Sequence, residues 1–179
     1  WSSDVCSSDL YIMKLYHFTS KEHLAEILKD GFIKLSPSNL EEPQNLHIDE
    51  NTLTAVADND DVRPVVWLTS TVKVSMSELG GNSYTKDDLS NIHDENTKKR
   101  LLDSKDSVRI TVEKTADMYR WTRWAQDNGI DPKWFKALKQ AASDNANWFI
   151  VERTIPVKDF ISVEVNGKEI EDLDRSEER

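Results

Sequence analysis

Two residues of this chain, His17 and Glu152, combine a reactive side chain with an apolar setting. His17 lies in the middle of KLYHFT (residues 14–19), a short aromatic run typical of a buried strand. Glu152 directly follows the apolar segment WFIV. A carboxylate among such neighbours is costly unless it is ion-paired or used in catalysis. The sequence therefore leaves two alternatives for Glu152, a catalytic acid or a salt bridge to Arg153 or Arg109.

In a second group of residues, basic side chains alternate with aromatic ones: Arg120, Trp121, Arg123 and Trp124. Unpaired bases stack on aromatic rings, which contributes about 1 to 3 kcal/mol each, and arginines pair with phosphate. These four residues therefore predict an acceptor site for single-stranded nucleic acid. The alternative is an amphipathic helix that buries its tryptophans, because Trp121, Trp124 and Ala125 fall on one helical face.

The remaining histidines and the cysteine do not indicate a metal site. His23, His47 and His93 lack the spacing of zinc ligands, and the acids lack the Asp-x-Asp-x-Asp-Gly spacing of a calcium loop. Cys6 is the only cysteine. We therefore expect no metal.

The chain begins with a segment that does not resemble the start of a domain. The string WSSDVCSSDL is the codon-by-codon translation of a common sequencing-adapter end, so we expect residues 1–12 to lie outside the fold, with the native start at Met13. Without Cys6 the chain has no thiol, which favours a reducing, cytoplasmic location. Removing Asp4 and Asp9 changes the net charge from -10 to 23 minus 31, or -8.

The composition excludes several classes of protein. The chain has 179 residues, enough for one globular domain and too few for two ordinary ones. No stretch approaches the roughly 20 apolar residues that span a bilayer, so we expect no membrane partner. The acidic charge disfavours tight, non-specific association with phosphate backbones.

The reactive residues must be positioned by strands and helices that mix without strict alternation, which favours an α+β domain over residues 13–168 and a solvated acidic tail over 169–179. Ser20 caps a helix that Gly31 ends. The other predicted elements are strands at 32–35, 65–68, 108–112, 148–151 and 160–165, a polar surface helix over 86–103, helices over 119–128 and from 131, and a long acidic loop over 37–61.

The run LYHFTSKEHLAEILKDGFIKL resembles the opening of ADP-ribosyltransferases, above all DarT-type DNA ADP-ribosyltransferases, and more distantly diphtheria-toxin-like enzymes and poly-ADP-ribose polymerases. The resemblance is carried by Tyr16, His17, Thr19, the helix that follows and Gly31. It implies a split mixed sheet with flanking helices and NAD as co-substrate. It also implies that His17 holds the adenine-side ribose, with Tyr16 and Thr19 beside it.

Two further blocks are similar to the same family. VVWLTS is similar to the strand that lines the NAD pocket, which implies that Trp67 or Tyr84 stacks on nicotinamide and that Ser70 lies beside it; the alternative is that Trp67 is core. Glu152 is similar to the late glutamate of these enzymes, which stabilises the oxocarbenium-like transition state as nicotinamide leaves. Ile150, two positions earlier, is neither Gln nor Glu, which disfavours arginine or asparagine acceptors.

The resulting expectation is a cytoplasmic, toxin-like, NAD-dependent ADP-ribosyltransferase that modifies a nucleic acid or a protein. It requires His17 and Glu152 to face one cleft. The first alternative is a non-catalytic module on the same fold that binds a nucleotide, a nucleic acid or a protein. The second is an RNA 2'-phosphotransferase, for which only Arg63 and Arg109 are candidate phosphate ligands.

Overall fold

The computed structural model describes residues 12–36, 38, 40, 46–49, 54–57, 63–74, 79, 86–103, 105–141, 147–171 and 173. It is an α+β fold, as predicted. Its elements are β1 (Lys14–Thr19), α1 (Lys21–Asp30), β2 (Phe32–Ile33), β3 (Leu46–Asp49), β4 (Thr54–Ala57), β5 (Val66–Thr69), α2 (Glu95–Leu102), β6 (Val108–Glu113), β7 (Tyr119–Arg120), α3 (Trp121–Asp127), α4 (Pro132–Ala141), β8 (Trp148–Val151), β9 (Ile155–Pro156), a 3-10 turn (Val157–Asp159), β10 (Phe160–Val165) and β11 (Lys168–Glu169).

Seven strands form the main sheet, in the order β11-β10-β6-β1-β5-β8-β7. The pairings between these described strands are antiparallel, so the sheet is not the mixed one that we expected. A parallel pair needs a crossover that returns the chain to the same end of the sheet, whereas each neighbour here enters from the opposite end. Short two-stranded pairs form between β2 and β9 and between β3 and β4.

The pairing between neighbouring strands of the main sheet is short at one place, between β1 and β5. β1 pairs with β6 along its whole length, and β5 pairs with β8 along its whole length. The register between β1 and β5 consists of one pair, Tyr16 opposite Thr69. The sheet is therefore two well-paired halves that meet at a short junction, and His17 is the next residue of β1 after the joining pair.

Each face of the sheet packs against different helices, because successive side chains of a strand point to opposite faces. On one side, which we call the α1 face, a cluster of buried sheet residues packs with Leu24 and Ile27 of α1. On the other, the α3 face, Ile150 packs with Trp121 and Trp124 of α3. The sheet residues of the α1 face next to the junction are Leu15, Val66, Leu68, Phe149 and Val151.

Helix α1 begins and ends where the sequence predicts. The Ser20 hydroxyl accepts a hydrogen bond from the backbone N–H of His23 at 3.2 Å. Gly31 ends the helix in the left-handed conformation, with φ of 88°, and its N–H donates to the Ile27 carbonyl. Val157 donates its backbone N–H to the Gly31 carbonyl, which fixes the end of α1 against the later part of the chain.

Three predicted elements differ from the structure. The acidic segment 37–61 contains the antiparallel pair β3 and β4, because the β-prone segments LHID and TAVA outweigh the acidic composition around them. The helix predicted over 86–103 is shorter, because the Asp94 carboxylate caps its start by accepting from the Asn96 N–H and the Thr97 hydroxyl, while 86–91 form turns. Tyr119 and Arg120 belong to β7 and not to the following helix, because they pair with β8.

The described fold continues past the predicted boundary at 168. β11 pairs with β10, and Ile170 donates its backbone N–H to the Val163 carbonyl. Ile170 and Leu173 pack against the core of the α1 face. Of the predicted adapter segment, only Ile12 is described, and it is exposed. None of the helices in the described ranges is long and apolar enough to cross a membrane.

Candidate functional site

The His17 imidazole lies at the junction between β1 and β5. Its Nδ1 is 2.9 Å from the Trp67 carbonyl oxygen. A carbonyl oxygen only accepts, so Nδ1 carries the proton, and in the neutral ring Nε2 is an acceptor. Burial lowers the pKa of His17 below its ordinary value; the bond to Trp67 partly offsets this, and the nearby charge of His23 lowers it further. His17 is therefore neutral at pH 7, with Nε2 as its acceptor nitrogen.

The neighbours of His17 on the strands are apolar. His17 lies opposite Ile110 of β6. Its odd-numbered position in β1 places it on the α1 face, with Leu15 and Thr19. Across the junction, the β8 positions on this face are Phe149 and Val151, which are 2% and 0% exposed. Neither can supply a charge or a hydrogen bond to a group bound beside His17.

Glu152 lies just beyond the end of β8 and contacts a different set of residues. Its Oε1 accepts a hydrogen bond of 2.6 Å from the indole N–H of Trp124, and its Oε2 is 3.9 Å from Nη1 of Arg63. The Arg63 guanidinium lies 4.9 Å from the centroid of the Trp124 ring. Glu152 follows Val151, so strand alternation and its partner in α3 both place it on the α3 face. Its side chain is 45% exposed, so it is not the buried carboxylate that we expected.

The structure does not bring His17 and Glu152 into one cleft. β1 and β8 flank β5 and are about two strand spacings or 10 Å apart. The residue pairs place His17 level with Phe149, whereas Glu152 lies three residues further along, just past the end of β8. They lie, however, on opposite faces. These contacts do not support the predicted shared cleft, because Glu152 bonds to Trp124 on the α3 face whereas His17 lies on the α1 face.

The two arginines predicted as alternative salt-bridge partners of Glu152 pair with other carboxylates. Arg153 pairs with Asp117, at 2.5 Å between Nε and Oδ2. Arg109 pairs with Glu164, its neighbour across the strands β6 and β10. Arg63 is the cation near Glu152, and its distance of 89 residues in the sequence gave no indication of this contact.

Tyr16 contributes to a cluster on the α3 face. The Arg109 guanidinium lies 5.2 Å from the centroid of the Tyr16 ring, and its Nη1 donates to the Val72 carbonyl at 3.1 Å. Nε of Arg109 is buried without a hydrogen-bond partner among the described residues. These contacts link the segment that follows β5 to β6 across β1. Arg109 thus connects the two halves of the sheet, and its described contacts are with Tyr16, Val72 and Glu164.

Three other predicted cofactor residues lie on or directly after the two strands of the junction: Thr19, Trp67 and Ser70. Thr19 is 6% exposed. Trp67 packs its ring edge-to-face with Trp148, at 6.1 Å between centroids, and adjoins the core of the α3 face, which supports its alternative as a core residue. Ser70 donates its N–H to the Asn147 carbonyl at 2.9 Å, and its hydroxyl donates to the Asn147 side-chain oxygen. Tyr84 lies outside the described residues.

The predicted acceptor site is not an exposed stacking surface. Trp121 and Trp124 are 3% and 4% exposed, so their ring faces cannot stack on bases. The amphipathic helix is the alternative that the structure supports for these two residues. Arg120 lies over the Phe149 ring at 5.1 Å, and Arg123 pairs with Asp127 at 3.7 Å along α3.

A groove of about 940 Å³ lies between α1 and α2, away from all of these residues. The one sequence signal for it is the run of three consecutive basic residues at 98–100, which by itself does not indicate a groove. Its basic lining residues are Lys21, Lys86, Lys98, Lys99 and Arg100. Within the part of the chain that the structure describes, no group of three or more histidine, cysteine, aspartate or glutamate residues could hold a metal ion.

Comparison of the chain with protein-family models, with curated proteins and with solved structures found no match.

Proposed function

We propose that this protein is a non-catalytic nucleotide-binding module on an ADP-ribosyltransferase-like fold, and that its ligand is NAD or a nucleotide with the same adenine-side ribose. The observation that carries the proposal is the separation of His17 and Glu152 onto opposite faces of the sheet. This separation leaves a hydroxyl-binding group on one face without a carboxylate beside it.

Transfer of ADP-ribose places a strict demand on geometry. As nicotinamide leaves, positive charge builds on the ribose, and a fixed carboxylate must contact the sugar to stabilise that charge more than the ground state. On the face that holds His17, β8 supplies Phe149 and Val151, both buried and apolar. The Glu152 carboxylate is bound to Trp124 and lies near Arg63 on the other face. A nucleotide held by His17 therefore lacks the group that cleavage requires.

Binding of a nucleotide is supported by the state of His17 and by the form of the sheet. The bond to Trp67 fixes the tautomer in which Nε2 accepts, and a ribose hydroxyl is a donor of the matching kind. The single residue pair between β1 and β5 supports a split at this position. The run LYHFTSKEHLAEILKDG, which resembles the NAD-binding opening of ADP-ribosyltransferases, supplies both the histidine and the helix that follows it.

The second candidate is an NAD-dependent ADP-ribosyltransferase that acts on a nucleic acid or a protein. One observation favours it: His17 lies on β1 and Glu152 directly follows β8, and these are the two strands that flank β5. In that case NAD would pass around the end of the sheet to reach both residues, and Glu152 would have to exchange its bond to Trp124 for one to the ribose.

Calorimetry with NAD, combined with an assay for released nicotinamide, separates the two candidates. The module predicts saturable heat and intact NAD. The transferase predicts nicotinamide release that is lost in Glu152→Ala and retained in Glu113→Ala, a matched change at an exposed glutamate of β6. Titration with a single-stranded oligonucleotide tests whether nucleic acid binds as well, and absence of any heat with NAD would contradict both candidates.

A further inference from the structure

Helix α2 has an unusual relation to the rest of the fold. None of its residues is buried, so it contributes no side chain to the core. It is attached instead through Asp103, directly after its last residue, whose carboxylate oxygens accept hydrogen bonds from the backbone N–H groups of Lys21 and Glu22 at 2.8 and 3.0 Å. These are N–H groups of the first turn of α1, which has no internal acceptors for them. The contact sets α2 beside α1 and creates the groove of about 940 Å³ between them.

The groove carries a charge opposite to that of the chain. The chain has a net charge of -10. Four basic side chains of the groove make no ion pair with the described residues: Lys21, Lys86, Lys99 and Arg100. Of the acidic lining residues, Asp103 is bound to the start of α1 and Glu95 pairs with Lys98 at 3.5 Å. The groove therefore presents cations that form no ion pair within the described part of the chain, although the Asp94 carboxylate interacts electrostatically with Arg100, and an anionic ligand would neutralise them.

The groove also has an apolar part. Leu89, Ala25 and Leu102 line it, and Leu102 is 37% exposed although it is a large aliphatic side chain. A groove between two helices that combines aliphatic contacts with charged sides is the kind of surface that receives an amphipathic helix, with its apolar residues inward and its charges at the edges.

We infer that the α1–α2 groove binds an acidic amphipathic helix of a protein partner. A nucleic acid fits less well for two reasons. Among the described residues of the lining, none is an aromatic side chain on which a base could stack. Glu22 and Glu95 also line it, and they would repel a continuous phosphate backbone, whereas a helix can place its carboxylates opposite the cations alone. None of the described lining residues belongs to those proposed for the nucleotide, so the two proposals stand or fall separately.

The test uses a fluorescent synthetic peptide of about 15 residues, long enough to form a helix, with leucine at helical spacing and glutamate beside it. Its anisotropy is titrated with the full chain. Two comparison probes are used. One is the same peptide with each glutamate replaced by glutamine, and the other is a single-stranded oligonucleotide. We expect the acidic peptide to bind at least about tenfold tighter than the glutamine peptide at low salt, and to lose this advantage as salt approaches about 0.5 M.

The matched variants are Lys99→Glu and Arg100→Glu in the groove, with Lys168→Glu on β11 as the control, because Lys168 is exposed and lies outside the groove. Each groove reversal should weaken the acidic peptide by about tenfold or more, while Lys168→Glu leaves its affinity within about twofold. All three positions are exposed, so circular dichroism should show an unchanged fold. Equal binding of the two peptides, an unchanged affinity in both groove variants, or tighter binding of the oligonucleotide would each overturn the inference.

Discussion

The His17 Nδ1–H donates to the carbonyl oxygen of Trp67 across 2.9 Å, beside the single pair that joins β1 to β5. A side chain thus supplies a cross-strand hydrogen bond where the backbone ladder is short. The same bond fixes the ring tautomer and leaves Nε2 as an acceptor. One contact therefore contributes both to the cohesion of the sheet and to the proposed recognition of a ribose hydroxyl.

The His17 ring makes the stability of the protein depend on pH in a defined direction. Burial holds the pKa of His17 in the folded state below the ordinary value of 6.5. In the pH window just below 6.5 the unfolded chain binds the proton more readily than the folded one, so the free energy of unfolding falls as the pH falls through that window. His17→Asn keeps a donor for the Trp67 carbonyl and cannot titrate. We expect it to lose this part of the pH dependence, measured by urea unfolding at pH 8 and pH 5.

His93→Asn is the control for this experiment, because His93 is exposed. It should leave the pH dependence of unfolding as in the wild type. If His17→Asn retained the full loss of stability between pH 8 and pH 5, burial of a neutral His17 would not be its cause.

Glu152 has a structural role that can be measured apart from any catalysis. Glu152→Ala leaves the indole N–H of Trp124 in a buried residue without its acceptor, which costs about 1 to 3 kcal/mol. Glu152→Gln retains an amide oxygen that can accept, so its free energy of unfolding should lie close to that of the wild type. The measurement is the urea midpoint of both variants beside Glu113→Ala. An unchanged midpoint in Glu152→Ala would show that Trp124 finds another acceptor.

Asp103 should hold α2 in place. Asp103→Ala removes both acceptors at the start of α1 and should lower the free energy of unfolding by about 1 to 2 kcal/mol, as for loss of a helix cap. Amide exchange of residues 95–102 should rise more than that of β6, since α2 has no buried side chain. Equal protection of α2 in the variant and the wild type would mean that other contacts hold the helix.

The pair between Arg153 and Asp117 predicts a modest acid-sensitive contribution. The Arg153 guanidinium, more than the Thr115 hydroxyl, holds the pKa of the Asp117 carboxyl below its ordinary 3.8. The stabilisation is therefore present above about pH 3.8 and is lost as the pH falls below it. Both side chains are more than a third exposed, so Asp117→Asn should cost no more than about 1 kcal/mol at pH 7. Thermal unfolding at pH 7 and pH 3 should show the difference between variant and wild type shrinking at the lower pH.

Much of the fold could be predicted from local patterns. The strand of His17 and the helix between Ser20 and Gly31 are as expected, because the apolar run, the cap and the left-handed glycine act within a few residues of each other. The helix predicted over 86–103 is too long, because helix propensity does not specify where a helix starts. The start is set by the cap at Asp94. The short pair β3 and β4 was hidden by acidic residues around it.

The site was harder to predict than the elements. Which face of a strand a residue occupies depends on its position by one residue, and Glu152 stands one position past Val151, which faces α1. Its partners Arg63 and Trp124 come from distant parts of the sequence, so no local spacing pattern predicts these contacts. The cationic groove is likewise a product of tertiary structure, because Asp103 brings α2 to α1 from 81 or more residues away.

The most direct test of the central proposal is a calorimetric titration of the full chain with NAD. The solution recovered from the calorimeter cell is then analysed by chromatography. We expect a saturable heat that is reduced in His17→Ala and unchanged in Glu152→Gln, with NAD recovered intact. Free nicotinamide in the wild-type cell but not in the Glu152→Gln cell, or the absence of any binding heat, would contradict it.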